Sequence, residues 1–254
     1  MKKAFILLII ILLNLSIAQN SDFNFASWDN MLQKYVAENG RVDYARWQAN
    51  DLDNLNRLAI RLSNFEPDKL DTDAQLAFWV NSYNILAVSE VLNRYPIDTV
   101  RPVFLFIPER SFFTDKKHTI NNTKYSLDSL ENDVLRAKYK QPLIHFGIVC
   151  ASNSCPNLRP EAYNGDSVIE QLKSQARKFI ADNNKNEFSG NTAQLSKIFD
   201  WFRADFEAAS GSVKEFLLPY ATSQIKQVLN SDNLQIKYLD YNWGLNDIAK
   251  PWSR

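Results

Sequence analysis

Apolar residues recur at helical spacing over much of the chain. Over residues 28–38, Trp28, Leu32, Tyr35 and Val36 share one face and Gly40 supplies a stop, which predicts a helix. A short connector, Val42-Asp43-Tyr44, leads to a second helix over 44–62, where Trp47, Leu55, Leu58, Ala59 and Leu62 repeat in the same way. Pro67 interrupts the chain. A third helix, capped by Asp71 or Asp73, is expected to run to about Arg94 and to end at Tyr95-Pro96. Its apolar residues run nearly all round the axis, among them Leu76, Phe78, Trp79, Tyr83, Ile85 and Leu92. Such a helix lies inside a fold rather than on its surface.

The second half changes character. Residues 100–113 give no clear period. His118-Thr119-Ile120 and Thr123-Lys124-Tyr125 flank Asn121-Asn122 and predict a short exposed hairpin. Asn121-Asn122-Thr123 has the form of a glycosylation sequon, but turn chemistry explains it at that position. A helix is expected over 128–139, and the apolar run 143–150 reads as a strand buried on both faces. A loop follows over 151–165, then a helix over 166–183 and a hairpin over 186–198 that turns at Ser189-Gly190-Asn191. Helices over 202–209 and 213–229, with a break near Pro219, precede a last strand over 236–240. These elements imply an α+β fold: one helix-rich domain over residues 20–254, with short, mostly antiparallel strands and no parallel doubly wound sheet.

The N-terminus adds a destination. Lys2 and Lys3 precede an unbroken apolar run from Ala4 to Leu13, and Ser16-Ile17-Ala18 places small residues before Gln19. That is the layout of a signal peptide over residues 1–18, and it implies a secreted or periplasmic protein. The run is too short to span a bilayer, which takes about 20 residues. The 254-residue chain carries 29 basic and 29 acidic side chains, and removing residues 1–18 takes two lysines and leaves a formal charge of −2. That balance gives no electrostatic case for nucleic acid or for a membrane surface after cleavage. The glycines form neither a dinucleotide fingerprint nor a phosphate loop, so no nucleotide cofactor is implied. Two histidines and two cysteines exclude most metal sites built from those residues.

Three stretches carry candidate chemistry. Asn81 and Asn84 lie one helical turn apart among aromatics, where they either tie loops to the core or orient a catalytic group. Asp128 and Glu131 have the spacing of an N-cap and its reciprocal partner, a position from which a carboxylate can also face a site. His145 is an imidazole within an apolar run, costly unless its ring nitrogens are paired, and with His118 on an expected exposed hairpin it is the only plausible imidazole for acid–base work. In a regular strand His145 and Cys150 would face opposite sides, roughly 16 Å apart. A partner for His145 is then sought in Glu131, Asn81 or Asp200. Export makes a Cys150–Cys155 disulfide the simplest reading of the two cysteines, with a free reactive thiol as the alternative.

Residues 77–84 (AFWVNSYN), 126–136 (SLDSLENDVLR), His145-Phe146 leading to 150–156 (CASNSCP), and the tail 238–246 (YLDYNWGLN) together resemble the family called domain of unknown function 547. Two positions depart from its pattern. Asn132 stands where the family often has His, and Asn242 where it often has Asp. The first leaves a single imidazole in this region. The resemblance implies a compact domain and no settled activity. The element order is also similar to papain-like and transglutaminase-like folds, whose helix offers a Cys near its start. The central helix here has none, so a nucleophile would have moved to Cys150 or Cys155.

Beside the plain possibility of a structural or assembly protein, whose 16 Phe, 10 Tyr and 6 Trp would serve an interface as well as a core, two functional readings follow. In one, the protein is an exported hydrolase or acyl-transfer enzyme with His145 as base, Glu131 or Asn81 orienting it, and the Cys150 thiol or a water as nucleophile. In the other, it is a non-catalytic binding module of the envelope or secreted space for a small molecule, peptide or glycan. On either reading, the exported protein should begin at Gln19, which N-terminal sequencing would check.

Overall fold

Helix α3 (Thr72–Leu92) is the axis on which the other elements are hung. The Asp71 side chain accepts from the backbone N–H of Asp73 and Ala74 and so starts it. Every residue from Gln75 to Leu92 is buried, as its all-round apolar surface predicted. In the computed structural model, which describes residues 23–101 and 111–251, α1 (Ala26–Tyr35) and α2 (Tyr44–Ser63) form a layer against one side of it. Trp28, Tyr35 and Trp47 fill the seam between α1 and α2, with Tyr35 and Trp47 stacked at 5.0 Å. The expected signal peptide lies outside the described residues.

Past α4 (Ser111–Thr114), β1 (His118–Ile120) and β2 (Thr123–Tyr125) pair antiparallel. Asn121 and Asn122 turn between them at φ 45° and 58°, a conformation that asparagine tolerates better than most residues. Helix α5 (Leu127–Ser129) continues without interruption as a π-helix (Leu130–Arg136) and then α6 (Ala137–Tyr139). Helix α7 (Val168–Ala181) packs on α3. Strands β3 (Glu187–Ser189) and β4 (Thr192–Leu195) form an antiparallel hairpin through Gly190. Four short helices follow: α8 (Ile198–Trp201), α9 (Arg203–Ser210), α10 (Val213–Leu217) and α11 (Ser223–Leu229). Strand β5 (Gln235–Tyr238) then returns parallel to β4. The chain is a helix-rich α+β domain with short strands in small sheets.

Three local expectations fail, each for a physical reason. The run 143–150 is not a strand. Pro142–Phe146 is a 3-10 helix, started by Pro142 and by the Gln141 side chain accepting from the Leu143 N–H. The chain then passes through the core to Cys150. An unbroken apolar run reports burial and does not report which backbone geometry is buried. His118 is not exposed: it keeps 8% of its surface and faces Glu90, whose carboxylate also meets Lys117 and Arg94. Burial, with those two cations nearby, pushes the imidazole down to about 4, so His118 is neutral at physiological pH. Finally, the helix after β2 begins earlier than Asp128. Ser126 and Ser129 form the reciprocal capping box, which frees Asp128 and Glu131 from that task.

The buried chain after Phe146 has no neighbouring strand, so its polar groups must find other partners. Asn84 supplies them: its Nδ2 donates to the Gly147 carbonyl at 2.9 Å and its Oδ1 accepts from the Val149 N–H at 2.9 Å. One turn earlier, Asn81 treats Tyr163 in the same way, at 2.8 and 2.9 Å. Replacing Asn84 by Leu strands two buried backbone groups at roughly 1–3 kcal/mol each. The unfolding free energy from urea titration should therefore fall by about 2–6 kcal/mol.

Candidate active site

His145 is the last but one residue of the 3-10 helix, with 3% of its surface exposed. Its ring stacks on Phe202 at 4.0 Å and 20°, and Phe206 closes a second side at 5.5 Å. Nε2 lies 2.8 Å from Oδ2 of Asp205, on the first turn of α9. Arg136 holds that carboxylate from the other side with two bonds, Nε at 2.7 Å and Nη2 at 2.9 Å. The hydrogen bonds from His145 and Arg136 keep the Asp205 carboxyl well below the usual carboxylate range. Burial lowers the basicity of His145 and outweighs the opposing pull of Asp205, so the ring is neutral. With Asp205 ionised, Nε2 carries the proton and Nδ1 keeps a free lone pair. Nδ1 is fully buried and makes no hydrogen bond. Its nearest acidic oxygen is Oε1 of Glu131, at 3.8 Å.

Glu131 reaches this place because of the π-helix. Pairing five residues apart, seen where the Ala137 N–H meets the Asn132 carbonyl, brings residues five apart onto about the same side. Glu131 and Arg136 are such a pair, and they approach opposite nitrogens of one imidazole directly and through Asp205. Burial pushes the Glu131 carboxyl up to about 8, and the neighbouring Cys150, Asp128 and Asp205 add to it against the pull of Arg136. At neutral pH this acid is therefore largely protonated.

Cys150 follows the stretch pinned by Asn84, so the amide of the central helix also fixes the thiol. The next residue, Ala151, turns at φ 66°, a left-handed conformation that costs an L-residue roughly 1–2 kcal/mol. The C-terminal tail holds it there. The Asn246 N–H donates to the Ala151 carbonyl at 3.0 Å, and the Asn153 N–H donates to the Gly244 carbonyl at 2.7 Å. A side chain at Gly244 would meet the amide ends of Asn242 and Asn153 at 2.9 and 3.0 Å, so a larger residue there would have to displace them. The same tail delivers Tyr241, whose hydroxyl lies 3.3 Å from the Cys150 sulfur. Ser152 Oγ lies 3.1 Å from that sulfur and donates to the Tyr241 oxygen at 3.0 Å. Burial pushes the Cys150 thiol up, but hydrogen bonds from Cys155, Ser152 and Tyr241 outweigh it and hold the thiol below its ordinary range.

His145, Glu131 and Cys150 open into one cavity of about 200 Å³, walled by Tyr83, Phe202, Trp201 and Trp243. A larger cleft of about 440 Å³ near Phe23 and Tyr163 holds neither a thiol nor an imidazole. Two of its acids are already engaged: Asp71 caps α3 and Asp29 accepts from the Ala162 N–H. The chemistry concentrates in the smaller space.

Of the residues picked out from sequence, the structure gathers His145, Glu131, Cys150 and Cys155 at this cavity. The loss of the strand removes the objection that His145 and Cys150 face opposite ways. Asn81 is not the partner of His145, because both ends of its amide are spent on Tyr163. Asp200 is not the partner either; it pairs with Lys197 and Arg203 at 3.0 Å each. The orienting acid is Asp205, five residues further along the chain. Glu131 faces the opposite nitrogen from the one that needs orienting. Cys150 and Cys155 stand as free thiols rather than as the expected disulfide, with the Cys150 N–H donating to the Cys155 sulfur at 2.8 Å. Arg136 and Tyr241 lie inside stretches that carry the family resemblance, but their types alone gave no sign of their roles. Asp205 had no local signal at all.

Residues 67–180 match the family described as protein of unknown function, DUF547, in line with the resemblance seen in the sequence. That span contains Asn84, Glu131, Arg136, His145 and Cys150; Asp205 and Tyr241 lie beyond it. No curated protein and no solved structure matches the chain.

The raised Glu131 carboxyl has a testable consequence for stability. Below about pH 4.5 the group is protonated both folded and unfolded, so Glu131→Gln should leave the melting temperature nearly unchanged. As pH rises from there through about 8, only the unfolded chain gains by ionising, and the wild type loses stability that the Gln variant retains. Thermal melts at pH 4.5 and pH 9 should therefore show a gain for Glu131→Gln only at the higher pH.

Proposed function

We propose that the protein is a thiol enzyme of hydrolase or acyl-transfer type that acts outside the cytoplasm after export. The observation that carries this reading is the unpaired Nδ1 of His145. Its ring is locked by Asp205 and two phenylalanines, and it faces a cavity that also holds an activated thiol. A buried nitrogen without a partner is costly, and a base awaiting a proton is a reason for the cost to persist.

The reaction divides into two steps. Nδ1 takes the Cys150 proton, and the thiolate is stabilised by the Tyr241 hydroxyl, which accepts in turn from Ser152. The sulfur attacks the substrate carbonyl carbon, a C–S bond forms, and the leaving group departs with the proton from the His145 imidazolium. Next, Nδ1 takes a proton from water, or from an acceptor amine or alcohol, as its oxygen or nitrogen attacks the thioester. The C–S bond breaks and Cys150 returns as thiolate beside the imidazolium. Asp205 holds the ring in the one tautomer that leaves Nδ1 available, as the acid of a catalytic triad does. Glu131, close to Nδ1 and protonated at rest, is placed to receive or return a proton at the same nitrogen.

Iodoacetamide without reductant, followed by peptide mass spectrometry, tests the thiol. Cys150 should be alkylated at pH 7 faster than an ordinary thiol, and Cys150→Ser should abolish both the label and any acyl adduct from an activated thioester. Asp205→Asn should lower turnover on the order of 10³-fold by allowing the wrong tautomer. A native Cys150–Cys155 disulfide, or a thiol that stays inert, would overturn this reading in favour of a binding module.

A further inference from the structure

The cavity around the thiol has a composition that bears on what enters it. Beside His145, the thiols and the tyrosines, the ionisable side chains that line it are two acids, Asp128 and the largely protonated Glu131. Among the described residues, no lysine or arginine lines it. Arg136, the nearest guanidinium to the imidazole, is spent on Asp205. An anionic group brought into this space would meet acidic side chains and, among the described lining residues, no lysine or arginine to compensate it.

The mouth is aromatic. Trp201, at the end of α8, keeps 47% of its surface exposed although its neighbours are packed. The other large exposed apolar residues among those described are isoleucines, Ile60, Ile236 and Ile248, and none of them lines the cavity. The Trp201 ring lies 4.7 Å from Tyr241 and 5.8 Å from Trp243, nearly parallel to the latter at 29°. Tyr241 and Trp243 are 4.5 Å apart. Three rings thus form one wall, and the middle one carries the hydroxyl that touches the Cys150 sulfur. A group seated on this wall is held within reach of the thiol. At about 200 Å³ the space lies below the usual size of a ligand pocket and suits a single side-chain-sized group.

Resting on the thiol-enzyme reading above, we propose that the acyl half of the substrate bears an uncharged apolar ring that seats on the Trp201–Tyr241–Trp243 wall, and that anionic acyl groups are rejected. In the first step the C–S bond to Cys150 forms while the bond to the leaving group breaks. The leaving group takes its proton from His145, and the acyl ring stays on the wall through the thioester stage.

The test uses the full mature chain and three thioesters of one aliphatic thiol, N-acetylcysteamine: acetyl, phenylacetyl and succinyl. Turnover is followed by chromatography, and the acyl adduct on Cys150 by peptide mass spectrometry. The expected kcat/KM for phenylacetyl is at least tenfold above acetyl, and that for succinyl at least tenfold below it. Trp201→Ala should bring the phenylacetyl-to-acetyl ratio towards one and Trp201→Phe should restore much of it, with thermal melts confirming that both variants fold. A wild-type ratio near one, succinyl accepted as readily as acetyl, or a ratio unmoved in both Trp201→Ala and Trp243→Ala would overturn the substrate assignment while leaving the thiol chemistry standing. No adduct on Cys150 from any of the three would overturn the thiol reading, and the substrate assignment with it.

Discussion

A stretch of backbone that crosses the interior without a partner strand must have its amides and carbonyls satisfied by something else. In this protein that something is the side chain of Asn84 on the buried helix α3, bonded at once to Gly147 and Val149. An amide side chain presents a carbonyl and an N–H side by side, so it can imitate the edge of a strand. Asn81 repeats the device one turn earlier on Tyr163. Through these two residues the most apolar helix of the fold fixes the polar path of the chain that carries His145, Cys150 and the loop beyond. The thiol owes its position to the core rather than to a surface loop, a rigidity that sites held to fine tolerances require.

Around the site, polar groups are satisfied unevenly. Asp205 receives Arg136 and His145 together, and His145 is held between that carboxylate and the face of Phe202. Every atom on that side of the ring is accounted for. On the other side Nδ1 has no hydrogen bond, Glu131 is raised by burial, and the Cys150 sulfur gathers donors that favour its charge. Low dielectric makes each of these conditions expensive, and together they describe groups prepared to exchange protons rather than to hold structure together. The π-helix and the left-handed Ala151 belong to the same set of departures from regular backbone.

Much of the architecture was legible along the chain because helices announce themselves locally. The faces of α1 and α2, the enclosed surface of α3, the Asn121-Asn122 turn and the break near Pro219 all follow from spacing or from single-residue chemistry. The run 143–150 misled because apolar residues in sequence record only that water is excluded. His118 misled because a turn at one end of a hairpin says nothing about what packs on its strands. At the site, His145, Glu131 and Cys150 stood out as residue types at odds with their surroundings. Asp205 did not, since an aspartate on the first turn of an amphipathic helix is unremarkable until that helix is docked.

By itself, then, the sequence determined that this chain buries a central helix, that it is a helix-rich α+β domain, and that polar residues of unusual placement cluster around residues 81–84, 126–136 and 145–155. Those are consequences of short-range periodicity and of the cost of burying polar atoms, which neighbours along the chain reveal. Which acid meets which nitrogen, whether two cysteines stay apart, and which rings wall the cavity were decided only in three dimensions. Asp205 lies 60 residues from His145 and Tyr241 lies 91 from Cys150. Contacts across such separations depend on how docked helices and the returning tail pack, and no local pattern encodes that.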